Sequence, residues 1–214
     1  MAKKLFITAT GTNVGKTYAS CKILEHLGRQ GVKIGAVKPI ETGVSSVPAD
    51  ANKLLKICQK YNPNFRELEP LDICAYTFAL PAAPYSADSE NIIKIENIKD
   101  KIAELDALCD YLIIEGAGGL YVPIKSNYFM IDLIKELECQ TVLVTPSHLG
   151  CINETLLSLK ALDSSGIDYS WCVNLYKDRE EFTQTTKPFY DDYFKQYDKL
   201  EDLLLFNHPF FKGL

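Results

Sequence analysis

The sequence predicts a three-layer α/β fold, in which a mainly parallel sheet of about seven strands carries helices on both faces. Two observations carry this. Short apolar runs alternate with longer amphipathic stretches along the chain, the pattern of repeated strand–helix–strand units whose strands are covered on both sides. The first strand also runs directly into Thr10-Gly11-Thr12-Asn13-Val14-Gly15-Lys16-Thr17, a glycine-bearing turn that opens a helix.

In chain order, strands are expected at 5–10, 33–38, 73–76, 111–115, 141–145 and 170–174, with a weaker one at 203–206. Helices are expected at 16–30, 50–60, 97–108, 130–138, 153–165 and 180–196. The first strand is β-branched and aromatic, and the first helix sets Ala19, Ile23, Leu24 and Leu27 on one face. Val32-Lys33-Ile34-Gly35-Ala36-Val37 delivers Lys38-Pro39, whose proline shapes the loop that follows. The second helix opens after Ser45-Ser46-Val47-Pro48-Ala49, with Asp50 in the position of an ordinary N-cap. Leu80-Pro81-Ala82-Ala83-Pro84 reads as a loop within the domain, and Tyr111-Leu112-Ile113-Ile114 as a buried strand ending in Glu115-Gly116-Ala117-Gly118-Gly119. No internal repeat or low-complexity segment interrupts the series.

The chain has 214 residues, 47% apolar and 24% charged, which suits one domain over 1–214. A net charge of −5 without a basic stripe argues against nucleic acid and toward small-molecule partners. No apolar stretch approaches membrane-spanning length and the amino terminus has no signal-peptide core, so no membrane partner and a cytoplasmic location are expected. The seven cysteines are scattered without a Cys-x-x-Cys pair, and the three histidines lack metal spacing. The cysteines therefore read as small core residues.

The Gly-Lys-Thr turn makes the fold P-loop NTPase-like. A glycine lets backbone N–H groups approach phosphate oxygens, Lys16 reaches the terminal phosphates, and the Thr17 hydroxyl ligates Mg²⁺. The turn has Thr10 where a standard Walker A has glycine. Corroboration lies at the carboxyl ends of the other strands, where such sheets bind ligands. Lys38 leaves the second strand and is suited to stabilise negative charge on a transferring phosphoryl or carboxyl group. Glu115 leaves the fourth and faces the phosphate loop, and the glycines behind it allow close approach of backbone. Thr17, Asp50 and Glu115 would be the protein's share of a Mg²⁺ site, a hydroxyl and two carboxylates.

Four ordered blocks resemble the dethiobiotin synthetase family: Thr12-Asn13-Val14-Gly15-Lys16-Thr17, Lys38-Pro39-Ile40-Glu41-Thr42-Gly43, Glu115-Gly116-Ala117-Gly118-Gly119 and Leu149-Gly150-Cys151-Ile152-Asn153. The resemblance implies an ATP-dependent cyclo-ligase of biotin synthesis. Its reaction joins 7,8-diaminopelargonic acid and CO₂ with ATP as co-substrate and Mg²⁺ as cofactor, through a carbamate and a carbamic–phosphoric anhydride. It implies catalytic roles for Lys16, Lys38 and Thr12, and nucleotide contacts from Asn13, Val14, Gly15, Lys16, Thr17, Tyr18, Asp50, Glu115, Gly116, Ala117, Gly118, Asn174 and Leu175. Thr42 would hold the amine or carbamate end of the substrate. Gly150, Cys151, Ile152 and Asn153 would bind its carboxylate across the interface of a homodimer, Cys151 through its backbone. Ala9 and Asn13 depart from the family pattern.

The alternative is a ParA- or MinD-like switch ATPase of the same fold. Such proteins carry a second lysine early in the loop, where this chain has Gly11. A glutamine-dependent amidotransferase of the cobyrinate type would need a further catalytic domain.

Overall fold

The computed structural model describes residues 2–176, 179–194 and 196–203. Its main sheet has six parallel strands: β1 (Lys3–Ala9), β2 (Ile34–Val37), β5 (Tyr111–Gly119), β8 (Gln140–Thr145), β9 (Tyr169–Val173) and β10 (Asp198–Lys199). They lie in the order β10-β9-β8-β1-β5-β2. β3 (Ile40–Thr42) and β4 (Tyr76–Phe78) form a separate parallel pair, and β6 (Pro123–Lys125) and β7 (Tyr128–Phe129) an antiparallel one. The helices are α1 (Lys16–Arg29), α2 (Ala49–Tyr61), α3 (Pro84–Ala87), α4 (Ile95–Asp106), α5 (Met130–Leu137), α6 (Cys151–Ser165), α7 (Arg179–Thr185), α8 (Lys187–Phe194) and α9 (Leu200–Leu203).

Successive strand residues point to opposite faces, yet Leu5 to Ala9, all of β2 and Tyr111 to Gly116 are buried. Both faces are therefore covered, which is why these strands read as continuous apolar runs and not as alternations. The chain leaves β1, builds β2 and β5 on one side of it, then crosses to β8, β9 and β10 on the other. The order reverses at β1, and a crevice opens at the carboxyl ends of strands where that happens.

Three expectations are corrected. Residues 73–76 do not form a strand of the main sheet: Pro70–Ile73 is a 3₁₀ turn in which the Glu69 N–H donates to Asp72 Oδ2 at 2.6 Å, and the strand begins only at Tyr76. Pairing of Ile40 with Tyr76 puts that strand in the side sheet. The strand expected at 111–115 does not stop at Glu115: Gly116–Gly119 continues it as the end of β5. The register against β1 moves from Ile7–Glu115 to Ala9–Gly119, a bulge that absorbs the extra residues. The helix expected over 180–196 is two, because Pro188 near the start of α8 lacks the N–H that a continuous helix would need. The strand expected at 203–206 lies almost wholly outside the described residues; Leu203 ends α9.

Candidate active site

The loop between β1 and α1 needs two left-handed residues, Asn13 at φ 60° and Gly15 at φ 107°. Asparagine tolerates this conformation better than most residues, which gives Asn13 a backbone reason to be there. At Gly15 a side chain would be strained by this φ, and its Cβ, 2.2 Å from Nδ2 of Asn174, would displace that amide. That amide donates to the Val14 carbonyl at 2.9 Å, and the Asn174 N–H donates to Thr145 O at 2.8 Å. The end of β9 is thus laced to the loop. No carboxylate stands in the first turn of α1, so its N–H groups are left for an anion.

Lys16 is 7% exposed and donates to the Gly11 carbonyl at 2.8 Å. Burial, then the Lys38 charge, lowers its pKa to about 8 against the opposing pull of Glu115 and Asp50.

Lys38 and Glu115 are both buried. The Lys38 ammonium donates to Glu115 Oε1 at 2.7 Å, to Gly116 O at 3.3 Å and to Asp50 Oδ2 at 3.4 Å, and the Thr17 hydroxyl donates to the same Glu115 Oε1 at 2.8 Å. Burial pushes the Lys38 ammonium toward the neutral form, but Glu115 and Asp50 outweigh it and hold the ammonium above its ordinary pKa. Burial likewise pushes the Asp50 carboxyl up, yet Lys38, Lys53 and the Thr17 hydroxyl leave it below the usual carboxylate range. Residues far apart in sequence, Thr17, Lys38, Asp50 and Glu115, therefore converge on one point.

The donor set there is a hydroxyl and two carboxylates. Glu115 Oε2 is buried and has no hydrogen-bond partner among the described residues. A buried anionic oxygen left without a donor is costly. A hard divalent cation such as Mg²⁺ would satisfy it, so the residues fit that ion.

Asp50 is not the N-cap of its helix: Pro48 is, and Asp50 lies in the first turn. The capping acceptor is Glu41, whose Oε1 and Oε2 accept the N–H groups of Asp50 and Ala51, each at 2.9 Å. Sequence reasoning missed Glu41 because the cap comes from β3 and not from the residues beside the helix.

A cavity of about 190 Å³ opens beside Asn174, lined by Tyr18, Lys22, Leu175, Tyr176, Lys199 and others. The rings of Tyr18 and Tyr176 are 5.8 Å apart, and the Lys22 ammonium stands 5.4 Å from the Tyr18 ring centre. Tyr18, Asn174 and Leu175, expected at the nucleotide, are brought together here. Lys199 reaches this cavity because β10 pairs with β9 only in the folded chain, whereas Lys22 on α1 and Tyr176 just after β9 carry no local mark that sets them apart.

The remaining expected residues lie on separate elements. Thr12 is exposed on the loop, Thr42 half-buried at the end of β3, and Ala117 and Gly118 half-buried in the bulged end of β5. Gly150, at φ 98°, precedes α6. Cys151 is buried beside Thr186 and Tyr190, which anchors the helix start; burial pushes its thiol pKa up. Ile152 is half-buried and Asn153 exposed. The Thr10 hydroxyl donates to Glu154 Oε2 at 3.4 Å and so ties the first turn of α6 to the phosphate loop. Among the described residues no helix is long and apolar enough to cross a membrane.

A family model described as an AAA domain matches residues 3–173. The chain is 56% identical over 190 residues to the ATP-dependent dethiobiotin synthetase of Sulfurovum sp., covering 89% of this chain and 90% of that one. It is 41% identical over 193 residues to the synthetase of Wolinella succinogenes, covering 89% of each. With the synthetase of Methanocaldococcus jannaschii the identity is 36% over 192 residues, 86% of each. In backbone it is similar to the MinC:MinD cell division complex of Aquifex aeolicus, with a TM-score of 0.55 at 17% identity over 92% of this chain and 79% of that one. It is equally similar to an apo GTPase of Pyrococcus abyssi, at 0.55 and 16% over 97% and 79%. At such identities these two structures show a shared fold. With the P-loop, the buried lysine between carboxylates and the extent of these sequence matches in place, the chain belongs to the ATP-dependent dethiobiotin synthetase family.

Proposed function

We propose that this protein carboxylates 7,8-diaminopelargonic acid with CO₂ and closes the ureido ring at the expense of ATP, giving dethiobiotin, ADP and phosphate. The observation that carries it is the Lys38 ammonium, buried between Glu115 and Asp50 beside the phosphate loop, in a chain of this family. The chemistry gathers negative charge between two oxyanions and needs no side-chain nucleophile. One substrate amine adds to CO₂ and loses a proton, giving a carbamate. A carbamate oxygen attacks the γ-phosphorus and ADP departs, leaving a mixed anhydride. The second amine attacks the carbamate carbon, and phosphate leaves as the ring closes.

Lys16 reaches the terminal phosphates once its contact with Gly11 O is exchanged for a phosphate oxygen. Lys38 neutralises the charge shared by carbamate and γ-phosphoryl, worth several kcal/mol in such a dry setting, on the order of 3 per oriented donor. Thr12 and Thr42 orient the carbamate end. Thr17, Asp50 and Glu115 would hold Mg²⁺, which when bound offsets charge on the β- and γ-oxygens. The cavity of Tyr18, Asn174 and Leu175 is below the roughly 300 Å³ of whole-ligand pockets and suits a planar base. Asn174 spends one amide hydrogen on Val14 and keeps its oxygen and other hydrogen for the base edge. The start of α6, from Gly150 to Asn153, takes the substrate carboxylate of the second subunit in a homodimer.

The test is phosphate release from Mg·ATP with bicarbonate, with and without the diamine. Release should depend on the diamine and vanish in Lys38→Ala and on chelation of Mg²⁺. Diamine-independent release would instead favour a switch ATPase.

A further inference from the structure

We infer that Glu41 is a positioning residue that fixes Asp50 at the phosphate site and thereby sets how strongly a divalent cation couples to triphosphate binding. This rests on the Mg·ATP reading above. A helix leaves its first N–H groups without intrahelical acceptors, and α2 begins behind Pro48, which offers no side-chain cap. Asn52 N–H donates to Pro48 O at 3.0 Å. The two donors before it, on Asp50 and Ala51, are taken by the two oxygens of the Glu41 carboxylate, each at 2.9 Å.

A two-pronged contact fixes the rotation of the first turn as well as its position, which a single acceptor would not. The orientation matters because Asp50 is the residue of that turn whose side chain enters the site. One of its oxygens lies 3.4 Å from the Lys38 ammonium and the other 3.5 Å from that of Lys53. Glu41 is 7% exposed, so water does not compete for its oxygens. It lies in β3, three residues beyond Lys38, which stands at the start of the short β2–β3 connection. One short segment thus places both the cation that Asp50 faces and the clamp that aims Asp50 at it. Groups that orient a metal ligand from behind are worth about 10–100-fold in metal affinity.

The experiment measures, by calorimetry, the dissociation constant of a non-hydrolysable ATP analogue in Mg²⁺ and in EDTA; the ratio of the two is the cation coupling. In Glu41→Gln the amide accepts one N–H and turns its own N–H₂ against the other. The coupling is expected to fall about tenfold, with affinity in EDTA held within about twofold. Glu41→Asp, which keeps the charge and reaches one donor, should fall between Gln and wild type, and decides the matter if Glu41→Gln does not fold. Asn62→Ala is the control for general loosening of α2. Asn62 is buried at the other end of that helix, where Nδ2 donates to Ile34 O and Leu108 O at 2.9 and 3.0 Å. It should lower Tm and leave the coupling unchanged. Retention of wild-type coupling in both Glu41 variants, or an equal loss in Asn62→Ala, overturns the role of Glu41 alone. Absence of coupling in the wild type overturns the magnesium reading together with it.

Discussion

A lysine held out of water beside a second ammonium gives up its proton early, and Lys16 is such a lysine, with its pKa lowered to about 8. Its charged form is the one that grips phosphate. In the free protein that form dominates below pH 8 and drains away above it, so triphosphate affinity should be greatest below pH 8 and weaken as pH rises through it. The loss is bounded at about tenfold per pH unit, with a proton taken up on binding. Dissociation constants measured in EDTA between about pH 7 and 10 check this, and Lys16→Met should be flat; a flat wild-type profile would refute it. The same shift affects stability in the opposite sense. Lys16 titrates lower in the folded than in the unfolded chain, so its contribution to stability rises with pH between about 8 and the ordinary lysine value of 10.5. Lys16, Lys38 and Glu115 were legible as residue types, since each follows an apolar strand. Glu41 was not: nothing local separates a clamping glutamate from a solvated one.

At the scale of elements, α1 and α2 pack through the contact of Gly28 with Tyr61. Gly28 is buried in the last turns of α1, where alanine would raise helix propensity by about 1 kcal/mol. A Cβ there would nevertheless lie 2.4 Å from the Tyr61 ring and 2.9 Å from its Cβ. The ring cannot swing clear because its root is also too close. Gly28→Ala is therefore expected to destabilise by about 1–3 kcal/mol, read as a lower midpoint in urea; an unchanged or raised midpoint would mean that the two helices part at little cost. The elements themselves were largely visible in the sequence. Apolar periodicity marks the strands and helices that face the core, and it fails at Ile73-Cys74-Ala75-Tyr76, where an apolar run covers a turn capped by Asp72, and at the bulged end of β5, where glycines beyond the expected end at Glu115 continue the strand. In both places pairing partners distant in sequence decide the outcome.

The whole molecule, on the homodimer reading, splits each substrate site between subunits, the phosphate half from one and the start of α6 from the other. Lys38→Ala and Gly150→Val, the latter straining a residue at φ 98°, would each silence a homodimer. Mixed subunits are different: a heterodimer puts both defects in one site and leaves the other intact. Random reassembly should then restore roughly a quarter of wild-type turnover, since about half the dimers are mixed and each has one working site. No restoration in a confirmed heterodimer would place the whole site within one subunit.

The sequence by itself determined the layered parallel fold, the phosphate loop and the set of charged residues at strand ends, because these follow from local periodicity and from the residue types that phosphate chemistry requires. Only the tertiary structure decided that Thr17, Lys38, Asp50 and Glu115 share one point around the buried Lys38–Glu115 pair, that Asn174 bolts β9 to the loop, and that Glu41 aims Asp50. Those relations depend on distances between elements many residues apart, and distance across a fold is set by packing and strand order, which no local pattern encodes.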